Sequence, residues 1–141
     1  MPVSFRILSP RGLVFVRYHD HATIAETEQA LDAFGSDPRA RPGLSHLIDL
    51  AAITGFEHDF VGLMGMQARK ASLFVDGDHA SLVVYHAPKR IAREMAAPIR
   101  KSWEGLDSIS VRILETEQAC LDVLGQPERS FAALLQAADT S

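Results

Sequence analysis

Hydrophobic positions along this chain fall into short runs separated by longer amphipathic stretches. Residues 3–8 alternate between apolar and polar side chains, and residues 13–18 form a second run rich in valine and phenylalanine. The turn-forming segment Ser9-Pro10-Arg11-Gly12 lies between them, so the two runs predict an antiparallel hairpin. Residues 44–50 form a third, almost wholly apolar run, which is typical of a strand buried on both faces of a sheet.

The stretches between these runs have helical spacing. Thr23 is a candidate N-cap with Glu26 three positions later, and this capping box predicts a helix that ends near Gly35. A second helix is predicted from residue 57 or 59 to residue 75. Its apolar residues cover more than one face, so we expect this helix to be deeply buried or to contact a partner subunit.

The rest of the chain continues this alternation with a strand, a helix, a strand and two helices. They are predicted at 79–86, from Pro88 onwards, at 109–114, at 115–124 and at 128–138. Pro98 should bend or break the first of these helices, because proline lacks an N–H group. A hairpin followed by helix–strand units predicts an α/β fold with a mixed five-stranded sheet, mostly parallel beyond the hairpin and packed with helices. Sites in such sheets lie past the carboxyl ends of the strands, so residues 49–59 are the first candidates.

Length and charge limit the classes of function. The chain has 141 residues, the size of one domain, and its formal net charge of -4 gives no electrostatic reason to expect nucleic-acid binding. The single cysteine, Cys120, cannot form an internal disulfide bond, which fits a reducing cytoplasm. The N-terminus has no signal-peptide pattern, and no apolar run approaches the roughly 18 residues that span a bilayer. We therefore expect a soluble cytoplasmic protein without a membrane span.

Three local phrases accompany this order of elements. They are Gly12-Leu13-Val14-Phe15-Val16-Arg17, Leu47-Ile48-Asp49-Leu50, and Val111-Arg112-Ile113-Leu114 with Glu117-Gln118-Ala119. Together they resemble the SpoIIAA-like family, part of the STAS-like fold group of sulfate-transporter and anti-sigma-factor-antagonist domains. The resemblance implies a STAS-like domain at 1–125. Residues 126–141 then form a C-terminal amphipathic helix and tail, which either belongs to the same domain or makes a dimer contact.

The resemblance also implies a phosphorylation switch, and here the sequence departs from the family. In anti-sigma-factor antagonists, the strand equivalent to residues 47–50 leads to a phosphorylatable serine at the start of the next helix. This chain has Glu57, His58 and Asp59 at that place, and the nearest hydroxyl group, on Thr54, comes several residues earlier. Two interpretations are open. Either the carboxylates cap the helix, or they replace the phosphate as a permanent negative charge at a helix N-terminus.

Histidines supply the weak candidates for a metal site. His19 and His21 alternate on an extended segment and would point to the same side. A site would need further ligands, such as His46, His58 or Asp59, which are distant in sequence. Polar side chains in a connector before a helix explain the same pattern more simply. We therefore assign no metal and no cofactor.

Two further features have a chemical and a structural interpretation. Lys89 and Arg90 open the third predicted helix, where free N–H groups and positive charge can hold an anion, although a solvated helix face explains them more simply. Cys120 lies on the apolar face of its helix and fits a small buried hydrophobe better than a nucleophile. The chain contains no Gly-x-Ser-x-Gly or His-Glu-x-x-His motif, so no catalytic residue is assigned.

The leading hypothesis is a non-enzymatic STAS-like domain with a regulatory or protein-interaction role. It would act as a homodimer, because the predicted helix at 57–75 and the last helix carry an excess of apolar surface. A protein partner would then bind a flat apolar face. A pocket between the sheet and the second predicted helix would instead favour a small ligand.

The ligand hypothesis is a binder of a small lipid-like or anionic metabolite. Phe56, Phe60, Met64 and Met66 would line the pocket, with Lys89 or Arg90 binding an acidic group. The third hypothesis is a metal-dependent or acid/base enzyme that uses His19, His21, His58 and Asp59. The candidate binding residues are Asp49, Thr54, Phe56, Glu57, His58, Asp59, Met64, Lys89 and Arg90.

Overall fold

The structure is a computed structural model that describes residues 3–41, 43–59, 62–66, 81–104 and 109–140. The strands are β1 (Val3–Leu8), β2 (Leu13–Ala22), β3 (Ser45–Phe56), β4 (Ser81–His86) and β5 (Ile109–Leu114). The helices are α1 (Ile24–Gly35), α2 (Arg90–Ser102), α3 (Glu117–Val123) and α4 (Phe131–Thr140). A 3-10 turn at Ser9–Arg11 joins the hairpin, and a short helical segment occupies 62–66.

The five strands form one mixed sheet in the order β1-β2-β3-β4-β5. Strand β1 pairs antiparallel with β2, and every later pair is parallel. The α/β class, the N-terminal hairpin and the mostly parallel remainder are therefore confirmed. Strands β1 and β5 have the predicted bounds, and β3 is buried on both faces over residues 46–50.

Strands β2 and β3 are both longer than the sequence predicted. Residues 19–21 follow the predicted run 13–18 and residues 51–55 follow the run 44–50, yet these two stretches pair with each other as parallel strands. The pairing is irregular, because Asp20 has a positive φ of 60° and the register shifts on either side of it. A Cβ atom added to Gly55 would lie 3.0 Å from Nδ1 of His21, so glycine permits the close approach.

The predicted capping box at the start of α1 is confirmed. The backbone N–H of Glu26 donates to Oγ1 of Thr23 at 3.3 Å, and the Thr23 hydroxyl donates to the Glu26 carboxylate at 2.9 Å. The helix ends at Gly35, as predicted. Thr116 caps α3 in the same way through the N–H of Ala119.

Helix α2 continues through Pro98, so of the two predicted effects of this proline, a bend or a break, the break does not occur. The helix begins at Arg90, two residues after Pro88, and ends at Ser102. An internal proline costs a helix roughly 3 kcal/mol, because one hydrogen bond is lost. The buried face of α2, which includes Ala92, Ala96 and Ile99, packs on the sheet and outweighs this cost.

Helices cover the sheet on two faces. Helices α1 and α2 and the segment 62–66 cover the face that carries Ile48 and Tyr85. Helices α3 and α4 cover the face that carries Leu47 and Val84. Phe131 and Leu134 of α4 are almost completely buried in this second layer.

The apolar stripe of helix α4 thus packs against the sheet of its own chain. The part of the second predicted helix at 67–75 and the start of the strand predicted at 79–86 lie outside the described residues. The dimer contact proposed through that helix remains a prediction.

Candidate functional site

The sheet face under α1 and α2 contains a cavity of about 170 Å³. Side chains alternate along β3, so Ile48 points into this layer and Leu47 and Asp49 point to the opposite one. Tyr18 and Tyr85 lie on either side of Ile48 and complete the floor. The walls come from the helices and include Ile24, Thr27, Leu63, Met66, Met95 and Ile99.

Polar groups gather at one end of this cavity. Thr23, Glu57, His58 and Asp59 line that end, and the last three are exposed. The imidazole of His58 stacks on the ring of Phe56, with centroids 4.4 Å apart and an interplanar angle of 22°. We call Glu57, His58 and Asp59 the acidic rim.

Both carboxylates of the acidic rim cap helices, but they cap different ones. Asp59 accepts a hydrogen bond of 3.0 Å from the N–H of Gly62, at the start of the helical segment 62–66. Glu57 accepts a hydrogen bond of 3.0 Å from the N–H of Ile24, at the start of α1. The helix-cap interpretation is confirmed for Asp59, and Glu57 ties the end of β3 to α1 instead of capping its own helix.

The floor of the cavity presents two buried tyrosines. The hydroxyl of Tyr18 lies 3.0 Å from Oγ1 of Thr27. Burial raises the pKa of Tyr18, although the hydrogen bond to Thr27 opposes the shift. Burial and the nearby Tyr18 also raise the pKa of Tyr85 well above its ordinary value, against a hydrogen bond with Trp103. Both phenols therefore stay neutral and act only in hydrogen bonding.

A second, smaller cavity of about 70 Å³ adjoins the first. The two share Tyr18, Thr27, Ile48 and Tyr85 as lining residues. From this common wall the second cavity extends between α1 and the sheet, where Phe34, His46 and Trp103 line it. His46 is buried in this layer, which agrees with a structural histidine.

The opposite face of the sheet holds a polar cluster of two buried side chains, Asp49 and His86, and the half-exposed Arg17. Arg17, Asp49 and His86 occupy neighbouring register positions on β2, β3 and β4. Oδ1 of Asp49 lies 2.9 Å from Nδ1 of His86, and Nε of Arg17 donates to Oδ2 of Asp49 at 3.2 Å. A further hydrogen bond to Asp49 comes from the N–H of Ala51 in the same strand.

The geometry of this cluster indicates a structural role. Burial would raise the pKa of Asp49, but hydrogen bonds from His86 and Ala51 and the charge of Arg17 outweigh it and lower the pKa. The ring of His86 packs edge-on against Phe131 of α4 at 5.0 Å, so the pair is closed to solvent. One feature of the sequence indicates this cluster, because an acid in an otherwise apolar buried strand requires polar partners.

Cys120 lies in the same layer and is completely buried. Burial, followed by the negative charges of Asp49 and Glu117, raises the pKa of its thiol to about 12. A thiol with so little thiolate character does not serve as a nucleophile. The prediction of a buried small hydrophobe is confirmed.

Several predicted binding residues do not reach the cavity. Met64 is exposed, whereas Met66 lines the cavity as expected. Nζ of Lys89 donates to the carbonyl of Ile53 at 3.3 Å. Arg90 pairs with Glu94 on the outer face of α2. Thr54 lies exposed on β3, and Phe60 lies outside the described residues.

The proposed metal ligands do not come together. Nδ1 of His19 lies 3.0 Å from Oδ2 of Asp20, and the positive φ of Asp20 disturbs the alternation that would align His19 with His21. Within the described ranges, no group of three or more histidine, cysteine, aspartate or glutamate side chains is placed to hold a metal ion. The metal-dependent form of the enzyme hypothesis therefore has no ligand set in this part of the chain.

The described surface lacks a large apolar face. Its exposed large hydrophobic side chains are Met64 and Val123, which belong to opposite layers. Single exposed side chains of this kind are normal for a protein surface. None of the described helices has the length and apolar character needed to cross a membrane.

Comparisons with protein-family models, with curated proteins and with solved structures returned no match to this chain. Interpretation of the cavity therefore depends on its own geometry.

Proposed function

We propose that this chain is a non-enzymatic STAS-like domain that binds a small lipid-like ligand in the cavity under α1 and α2. The observation that carries the proposal is the cavity of about 170 Å³, with an apolar interior and polar groups at one end. Small-molecule sites are typically concave and mostly apolar, with a few polar groups that orient the ligand. An apolar cavity of about 150 Å³ is large enough to bind benzene.

The position of the cavity also supports a ligand. It lies beside Ala22 and Phe56, at the carboxyl ends of the parallel strands β2 and β3. Ligands of parallel α/β sheets bind preferentially at this edge. A pocket in this place, rather than a flat apolar face, is the feature that distinguishes a ligand-binding domain from a protein-docking domain.

The lipid-like alternative is favoured over the anionic one. The described lining of the cavity contains no lysine or arginine. Lys89 and Arg90, the residues expected to bind an acidic group, have protein partners elsewhere. The carboxylates of Glu57 and Asp59 would repel an anion at the open end.

The STAS-like assignment is part of the same proposal. The sequential strand order and the single antiparallel edge strand support it. A regulatory role, a homodimer and a cytoplasmic location remain predictions. In a regulatory domain, the ligand would set the affinity for a protein partner through a difference in binding free energy between two states.

Isothermal titration calorimetry with 1-octanol tests the proposed site. We expect saturable binding at one equivalent. Ala22 lines the cavity and is buried, so Ala22→Leu fills the space and should weaken octanol binding more than tenfold while keeping or raising the melting temperature. Ala132→Leu adds the same carbons at an exposed position of α4 and should leave binding unchanged. Absence of binding, or equal binding by Ala22→Leu, would contradict the proposal.

A further inference from the structure

Among the described residues, the charged side chains at the open end of the cavity are all acidic. Glu57 and Asp59 are exposed there, and each uses one carboxylate oxygen to cap a helix, which leaves the other oxygen available to a ligand. The described lining residues provide no lysine or arginine to balance them. A polar head group at this end therefore meets a negative potential.

The stacked rings of Phe56 and His58 add a second preference through the ring faces that are turned away from the stack. Their stacked rings lie at the same end of the cavity as the two carboxylates. An aromatic face attracts a cation, and alkylammonium groups are bound in this way where carboxylates assist. The acidic rim and the aromatic ring thus select the same chemical group.

The length of the space limits the apolar part of the ligand. Benzene, with six carbons, fits a cavity of about 150 Å³. By this scale, the cavity of about 170 Å³ holds about seven carbons and the adjoining one of about 70 Å³ holds about three. Tyr18, Thr27, Ile48 and Tyr85 line both spaces, so the two cavities are adjacent, and a ligand that occupied both would need an extended chain rather than a compact ring system.

We propose that the ligand is a single-chain aliphatic amine. Its ammonium group lies at Glu57 and Asp59, and its chain of up to about ten carbons runs past Tyr18 and Tyr85 toward Trp103. This inference rests on the proposed function, because it names the ligand class of the same cavity.

Three probes of equal chain length separate the head-group preference from binding itself. They are octylamine, 1-octanol and octanoate, titrated into the full chain at pH 7 below the concentrations at which they self-associate. We expect octylamine to bind about fivefold more tightly than octanol, since a unit charge about 4 Å away in water contributes about that much. Octanoate should bind more weakly than octanol. In 1 M salt, the preference for the amine should largely disappear.

A charge-neutral variant locates this preference. Glu57→Gln with Asp59→Asn keeps an oxygen that accepts each capping hydrogen bond and removes both charges. Octylamine should lose its advantage in this variant, while the affinity for octanol stays the same. Glu94→Gln with Glu115→Gln changes the net charge equally at two carboxylates paired with arginines outside the lining. That control should keep the advantage.

Chain length tests the second cavity. Affinity should rise about fourfold for each added methylene group up to about ten carbons and then level off. Ala30 lines the second cavity and not the first. Ala30→Leu should therefore lower the chain length at which affinity levels off to about seven carbons and leave the affinity for butylamine unchanged.

The possible outcomes distinguish the two levels of the proposal. If octanol binds and octylamine shows no advantage, or if octanoate binds best, the amine is wrong and the lipid-like site stands. If no probe binds, both are overturned. If the advantage persists in the charge-neutral variant, the acidic rim does not select the head group and the inference fails.

Discussion

The carboxylate of Asp49 lies 2.9 Å from Nδ1 of His86, and both side chains are shielded from solvent beneath α4. Arg17 completes the contact from the other side, so one polar cluster joins β2, β3 and β4. The cavity lies on the opposite face of the same strands. Asp49 was a candidate binding residue from its position in the sequence, but its geometry makes it part of the scaffold that supports the cavity floor.

Asp49→Asn should destabilise the fold by about 2 kcal/mol at pH 7, because hydrogen bonds to a charged acceptor are lost in a buried place. The pKa of Asp49 is lowered in the folded state, so the unfolded chain takes up a proton first as the pH falls. The stability contributed by Asp49 is present above pH of about 4 and lost below it. Urea unfolding between pH 3 and pH 7 should therefore show a smaller acid-side decline in the variant.

Asp37→Asn is the matched control for this measurement. The hydrogen bond to Arg39 lowers the pKa of Asp37 as well, but that pair is local to the loop after α1. Its removal should change stability less than removal of Asp49. Equal losses at the two positions would show that the buried cluster does not hold the sheet together.

Cys120 should resist alkylation in the folded protein. Its thiol is buried, and its pKa of about 12 leaves almost no thiolate at pH 8. Because it is the chain's single cysteine, incorporation of iodoacetamide followed by mass spectrometry reports on this site alone. We expect labelling to occur only at the rate at which α3 opens and to become rapid in 6 M urea. Rapid modification without denaturant would contradict the buried position.

Loss of the cap of α1 should lower stability without changing the fold. Thr23→Ala removes the hydroxyl that accepts from the N–H of Glu26, which typically costs about 1 kcal/mol. Thr54→Ala changes an exposed strand residue and should stay within about 0.5 kcal/mol of the parent. The midpoints of thermal unfolding measure both. A larger loss at Thr54 than at Thr23 would contradict the capping geometry.

Helix α4 should contribute to the stability of a single subunit. Leu134 is completely buried against the sheet, so Leu134→Ala should cost about 2 to 5 kcal/mol. Val123→Ala, at an exposed position of α3, should cost far less. Unfolding curves measure the stability of each variant, and light scattering at micromolar concentration measures its oligomeric state. If Leu134→Ala instead shifted a dimer to a monomer of unchanged stability, α4 would be a subunit contact.

Local patterns explain which elements could be predicted. The alternation in β1 and β5 and the capping box of α1 are short-range signals, and each predicted its element closely. The extension of β2 and β3 depends on the pairing of residues 19–22 with residues 52–56. Polar and small side chains in these stretches carry weak strand propensity, so the pairing becomes visible only when the two strands are side by side.

In the cavity, too, the residues that follow from a short-range signal could be predicted, and those that depend on the packing of distant elements could not. The segment 56–59 was a candidate because it follows the central strand, and it does form the open end. Tyr18, Thr27 and Tyr85 were not predicted, because no single stretch of sequence shows that α1 stands over that part of the sheet. Lys89 and Arg90 were expected to bind a ligand on the basis of charge at a helix start, but their side chains meet other partners.

Intermolecular nuclear Overhauser effects between 1-octanol and methyl-labelled protein test the proposed site most directly. We predict contacts from the octyl chain to the methyl groups of Ile24, Ile48 and Met95, which line the cavity. No contacts should reach Leu47, Leu121 or Leu134 on the opposite face of the sheet. Contacts to that face, or no contacts at saturating octanol, would contradict the assignment of this cavity as a ligand site.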